Sequence, residues 1–175
     1  PYLIVPMSEC RTFKYFKEET LETVAGKFGW NLINDDNRKE LFLEMVRQMD
    51  MSYSYKPVLI KAVLQYADSK GRVRLDDIVA YFKTFYENRR NAGLAVEKPN
   101  SIFAKGGYTD KEAQRNILSN PFKRFEDMQM LRHTKTLGII EVEPTVWKNL
   151  INEEKAEILE VCDRKLEGYY ERNNR

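Results

Sequence analysis

A chain of 175 residues, 42% of them hydrophobic and 32% charged, can bury a real core and needs no staples to fold. Ten Tyr and nine Phe exclude a disordered chain, and apolar runs broken by charge exclude a membrane-spanning helix. The net charge of +2 excludes nothing, but its distribution is informative. Residues 89–135 carry 10 basic and 5 acidic side chains, whereas residues 1–50 carry 7 and 9 and residues 136–175 carry 6 and 9. Positive charge gathered in one segment is the footprint expected of a phosphate-binding surface, or of one solvated face.

The chain opens with an extended apolar stretch, Pro1 to Pro6, that reads as a short strand or arm over 2–5 and as a cut within a longer polypeptide. Leu21, Val24, Ala25 and Phe28 at helical spacing, with Glu18 and Glu19 before them and Gly29 after, predict a helix over 17–28. Leu41, Phe42, Met45 and Met49 predict a second amphipathic helix over 36–49. A third is expected over 54–69, with Pro57 in its first turn and a broad apolar face of Leu59, Ile60, Val63, Leu64 and Ala67. Gly71 ends it, and the alternation Arg72-Val73-Arg74-Leu75 predicts a short strand. Asp76 is the expected N-cap of the next helix, which buries Ile78, Val79, Phe82, Phe85 and Tyr86 and stops at Gly93.

Residues 94–108 form a long connection containing Pro99, Asn100, Gly106 and Gly107. Thr109 to Glu112 is a capping box that opens a short helix reaching about Leu118. Asn120 and Pro121 then predict the N-cap and first turn of a helix running to Leu131. Leu137–Val142 is an expected strand that pairs with 72–75. A short helix around Trp147 and a long one over 153–172 complete the chain. The expectation is a mainly α protein, a helical domain with a winged-helix-like core and a very small β-sheet. It divides into an N-terminal arm and helical subregion, 1–50, and a winged-helix-like domain, 51–175.

The chemistry-bearing residues are sparse. His133 is the single histidine, so no Ser/His or Cys/His dyad has a second partner to choose from and no His cluster can hold a metal. The acidic pairs Glu18-Glu19, Asp35-Asp36, Asp76-Asp77 and Glu153-Glu154 fall at helix starts, where they stabilise the helix dipole. Cys10 and Cys162 stand far apart and lack a neighbouring Cys or His at metal spacing. Two free thiols in a reducing compartment, hence a cytoplasmic protein, is the reading preferred over one long-range disulfide. No catalytic residue, metal or cofactor is expected. The tyrosine- and phenylalanine-rich stretch from Tyr53 to Tyr86 reads as core, with Tyr53 and Tyr55 the two rings expected to escape it. The helix pair over 109–131 reads either as a helix-turn-helix or as a plain hairpin with solvated charges. In the first case Lys111, Arg115, Lys123, Arg124, Arg132 and Lys135 face phosphates, in positioning rather than base-reading contacts.

Three stretches carry a resemblance: Met51-Ser-Tyr-Ser-Tyr-Lys-Pro-Val-Leu-Ile-Lys-Ala-Val-Leu, Leu75-Asp-Asp-Ile-Val-Ala-Tyr-Phe and Ser119-Asn-Pro-Phe-Lys-Arg-Phe-Glu-Asp-Met. Together they resemble the C-terminal accessory region of bacterial superfamily-II helicase proteins of the DEAD/DEAH-box and restriction-subunit type, over residues 15–172. The Tyr55-Lys-Pro segment is also similar to DNA-sensing domains attached to restriction-type HNH nucleases. No Walker A lysine motif and no Asp-Glu-x-Asp/His motif lies in this chain, so the resemblance implies that any ATPase sits upstream. It implies an accessory role in DNA handling, in restriction or phage defence. The leading expectation is therefore a non-catalytic DNA-contacting domain whose partners are nucleic acid and the upstream helicase domains, with no membrane contact. The alternative is a protein-interaction domain that docks on the helicase motor.

Overall fold

The computed structural model describes residues 2–4 and 20–173. Cys10, the Glu18-Glu19 pair and the start of the first expected helix lie outside those residues. In chain order the elements are β1 (Tyr2–Ile4), α1 (Leu21–Phe28), β2 (Asn31–Ile33), α2 (Arg38–Arg47), α3 (Tyr55–Tyr66), β3 (Arg72–Arg74) and α4 (Leu75–Asn91). There follow α5 (Ile102–Lys105), α6 (Asp110–Ile117), α7 (Lys123–Asp127), β4 (Leu131–Thr134), β5 (Ile139–Val142), α8 (Pro144–Asn149) and α9 (Asn152–Asn173). The protein is thus mainly helical with a small antiparallel sheet, as the periodicities predict.

Helix α3 is central because its apolar side chains run nearly all the way round. Val58, Leu59, Ile60, Ala62 and Val63 are all at most 2% exposed. It packs on α4 and α9, whose inward stripes are Ile78, Phe82 and Tyr86 and Ile158, Cys162, Leu166 and Tyr169. Phe42, Leu43 and Val46 of α2 join the same core, so α2 packs against α8 and α9. Ion pairs Lys39–Glu154 (2.7 Å) and Arg47–Glu157 (3.0 Å) bridge α2 to α9 at the rim. Cys162 is a buried free thiol whose pKa burial pushes up to about 12.

The strand order is β3-β5-β4, all antiparallel. The expected pairing of 72–75 with 137–142 is present, with Arg72 opposite Glu141 and Arg74 opposite Ile139. Alternation puts Val73, Ile140, Val142 and Leu131 on the core face and Arg72, Glu141 and Arg132 side by side on the outer face. Two further strands, β1 and β2, pair separately. β2 escapes sequence reading because three residues between two helices carry no usable period.

Three local expectations are corrected. Asp76 is not the N-cap of α4: the cap is Arg74 in extended backbone, and Asp76 and Asp77 occupy the first turn, where they still favour the dipole. Asn120 is extended (φ −167°, ψ 110°) inside an irregular turn, Leu118–Phe122, so α7 begins only at Lys123. That helix then stops at Asp127 rather than at Leu131. Gln129 takes a left-handed backbone (φ 54°), and the Met130 amide donates to the Phe125 carbonyl (2.8 Å), which closes the helix and releases Leu131 into β4.

The connection 94–108 is held down by one carboxylate. Glu97 accepts from the Ser54 amide (2.7 Å), the Ser54 hydroxyl (2.5 Å), the Lys98 amide (2.8 Å) and the Tyr169 hydroxyl. Around it the Tyr170 hydroxyl donates to the Val96 carbonyl (2.8 Å), and Tyr86 shares a hydrogen bond with Ser54 (2.7 Å). Tyr55, expected at the surface, is 3% exposed and donates to Ser101 (2.6 Å), because the connection folds over it.

Burial pushes the Tyr55 and Tyr170 phenols up to about 12 and moves those of Tyr86 and Tyr169 upwards as well. A raised phenol favours the protonated, folded state. Its contribution is complete below the ordinary value near 10 and is lost as pH rises towards 12. We therefore expect cooperative alkaline unfolding between about pH 10 and 12, followed by circular dichroism and phenolate absorbance together. Ionisation of every tyrosine near pH 10 with the helices intact would contradict that burial.

Candidate nucleic-acid interface

All six cations expected from sequence are exposed, but they do not form one patch. Lys111 and Arg115 lie one turn apart on α6, so both project from the same face. The helix is fixed beneath them by its capping box, in which Thr109 accepts from the Glu112 amide (3.3 Å) and Glu112 accepts from the Thr109 amide (2.7 Å). Ala113 and Ile117 anchor its opposite side in the core. Neither the Lys111 nor the Arg115 side chain has a hydrogen bond or close ion pair among the described residues, although the Arg115 charge helps lower the Glu112 pKa.

Lys135 belongs to the β4–β5 hairpin turn, and that turn meets α6 at the start of α4. The Leu75 amide donates to the Gly138 carbonyl (2.8 Å). The next residue, Asp76, accepts from Gln114 of α6 (3.0 Å) and from Arg74 (3.5 Å). The hairpin turn, α6 and Arg74 are therefore gathered at one corner of the molecule. Leu137, 69% exposed, stands at the tip of the turn. Sequence reading passed over Arg74, although the alternation at 72–75 already placed it on the solvent face with Arg72.

The remaining three cations go elsewhere. Lys123 is neutralised within its own helix by Asp127 (2.6 Å) and Glu126 (3.3 Å), and these carboxylates raise its pKa. Its neighbour Arg124 lines a small cavity of about 230 Å³ with Lys56, Gln48 and Asp50. There burial, and secondly the Arg124 charge, lower the Lys56 ammonium, whose hydrogen falls to the Asp50 carbonyl (2.6 Å). Arg132 lies on the outer face of the sheet beside Glu141. The expectation that 109–131 presents one continuous basic helix pair is thus replaced by a basic corner, α6 with the hairpin turn, and separate cations on α7 and β4.

His133 is half-buried on β4, its ring edge-on to Phe122 (centroids 6.1 Å), and burial lowers its pKa. Among the described residues no three His, Cys, Asp or Glu side chains are grouped to hold a metal ion. No helix among them is long and apolar enough to cross a membrane. What the corner offers chemically is paired guanidinium and ammonium donors on a rigid frame, suited to phosphate oxygens. No protein-family model, no curated protein and no solved structure matches this chain.

Proposed function

We propose that this chain is a non-catalytic accessory domain of a larger helicase-like DNA-processing protein, and that it grips the nucleic-acid backbone through the α6–hairpin corner. The observation that carries this reading is the exposed pair Lys111 and Arg115 on α6, joined through Asp76 and Leu75 to the hairpin turn that holds Lys135. The connectivity supports it. Helix α3, strand β3, helix α4, the α6–α7 pair, then β4 and β5 in the sheet order β3-β5-β4, is compatible with a winged-helix path in which 135–138 would be the wing. In such a module one helix approaches the groove while the wing touches the adjacent backbone. The long 94–108 segment between α4 and α6 departs from the tight turn of simpler helix-turn-helix units.

Phosphate contacts dominate such binding and position the protein without reading sequence. The double variant Arg115→Glu/Lys135→Glu is therefore expected to weaken duplex DNA binding at least about tenfold at low salt and to lower the salt slope by about 2. Its helical spectrum and melting temperature should stay unchanged, because both side chains are exposed. Lys123→Gln should leave affinity near that of the parent, since that ammonium is already engaged. Fluorescence anisotropy with labelled duplex measures affinity and salt slope for both variants, and circular dichroism checks their fold. Undiminished binding by the double variant would refute the corner, and capture of helicase domains without DNA binding would favour a docking module.

A further inference from the structure

The largest cavity described, about 640 Å³, lies away from that corner, between the Ser69-Lys70 turn, β5 and α8. Lys70, Lys148 and Lys155 line it, and Glu141 is its one carboxylate. Glu141 is itself flanked in register by Arg72 and Arg132 on the outer face of the sheet. Arg72 is paired with Asp68 (2.8 Å) and also feels the Glu141 charge, so this carboxylate faces the groove beside two arginines. The Lys70 amide donates to Asp68 (2.8 Å), but neither the Lys70 nor the Lys148 ammonium has a hydrogen-bond or ion-pair partner among the described residues. The floor is Trp147, held rigidly: its indole N–H donates to the Ser69 carbonyl (3.2 Å), one side of the ring lies against Gly71, and the Lys155 ammonium stands 4.3 Å from its centroid.

We infer that this groove is a second polyanion site that seats the phosphate backbone of a single nucleic-acid strand, running from Lys148 and Lys155 past Lys70 towards Arg132. Two considerations favour a strand over a duplex, and a third sets the kind of contact. The volume, about 640 Å³, falls in the ~300–1,000 Å³ range of small-ligand pockets and is too small to seat a duplex. The cations converge on a concave floor that a duplex would bridge without entering. Lys155 covers the aromatic floor, so the contacts are those of an electrostatic channel along the backbone rather than of a base-stacking platform. The inference deepens the nucleic-acid reading and rests on it. It adds a path for an unpaired strand, which a duplex-gripping corner alone does not provide.

Trp147 reports on the groove directly. The chain has two tryptophans, so a Trp30→Phe background leaves its emission alone. Adding short oligodeoxythymidylate to this protein should change Trp147 emission in parallel with anisotropy of the labelled strand. Lys70→Glu/Lys148→Glu should bind the strand about tenfold more weakly, with a salt slope lower by about 1.4, while its duplex affinity stays near that of the parent. Arg115→Glu/Lys135→Glu should keep the emission change. Strand binding that leaves Trp147 emission unaltered, or that survives the Lys70/Lys148 reversal, would overturn the groove while leaving the corner standing. Loss of duplex and strand binding together in the Lys70/Lys148 variant would overturn it too, and failure of the parent protein to bind either would remove both readings.

Discussion

Replacing Glu97 with alanine is expected to cost about 3–5 kcal/mol of folding free energy, because each buried donor left unpaired costs about 1–3 kcal/mol. The donors are the Ser54 amide, the Ser54 hydroxyl and the Tyr169 hydroxyl, and Ser54 is fully buried. The carboxylate joins three parts that are distant in sequence: the start of α3, the 94–108 connection and the last turns of α9. Arg89 reinforces the same junction, with its guanidinium 3.3 Å over the Tyr170 ring and its Nε donating to the Ala95 carbonyl (2.7 Å). Loss of Glu97 should therefore free the connection as well as lower stability. Urea unfolding and amide exchange at residues 94–101 measure the two effects. Glu97→Gln should recover part of the loss, since its carbonyl can still accept from Ser54 while its amide cannot accept from Tyr169. A loss below about 1 kcal/mol in the alanine variant would mean that water satisfies these donors and that the network is not a clamp.

Gly71→Ala should cost about 2–5 kcal/mol, combining about 1–2 for an L side chain in left-handed backbone with about 1–3 for overpacking. The backbone there has φ +77°, and an added Cβ would come within 2.6 Å of Trp147 Cγ and 2.8 Å of Cδ2. Trp147 cannot retreat easily, because its indole is tied to the Ser69 carbonyl and its ring belongs to the buried core. The Gly71 carbonyl also accepts from the Val142 amide (2.9 Å), so moving the turn disturbs the β3–β5 ladder. Thermal unfolding with near-ultraviolet circular dichroism of the tryptophans reads the outcome. A variant as stable as the parent, with the same tryptophan signal, would contradict the close packing of the turn on α8.

Much of the architecture was legible from residue pattern. The apolar faces of 54–69 and 75–91, the capping box at Thr109 and the alternation at 72–75 each express a local rule, and α3, α4, α6 and β3 follow. The helix over 121–131 misled because Phe122, Phe125, Met128 and Leu131 fit a helical stripe. Nothing at Gln129 announces a left-handed turn, and the strand that follows draws its partners from β5. The buried Tyr55 was illegible for a related reason: what covers it is a connection pinned by Glu97, a contact between residues 43 apart in the chain.

The six cations picked from the basic segment are all exposed, yet segment charge cannot distinguish a free ammonium from one satisfied four residues away. Lys123 and Arg124 are adjacent and similar in sequence, but only Lys123 has carboxylates at i+3 and i+4 within reach. The lysines of the groove over Trp147 lie outside the basic segment, Lys70 in 51–88 (net +2) and Lys148 and Lys155 in 136–175 (net −3), so only the fold reveals that they line one groove.

The most direct measurement of the central claim is fluorescence anisotropy of labelled duplex and single-stranded DNA with this chain, titrated against salt. A phosphate-gripping domain should bind at micromolar levels in low salt, with log affinity falling linearly against log salt at a slope of about −3 to −5. Absence of binding at low salt, or affinity indifferent to salt, would contradict it.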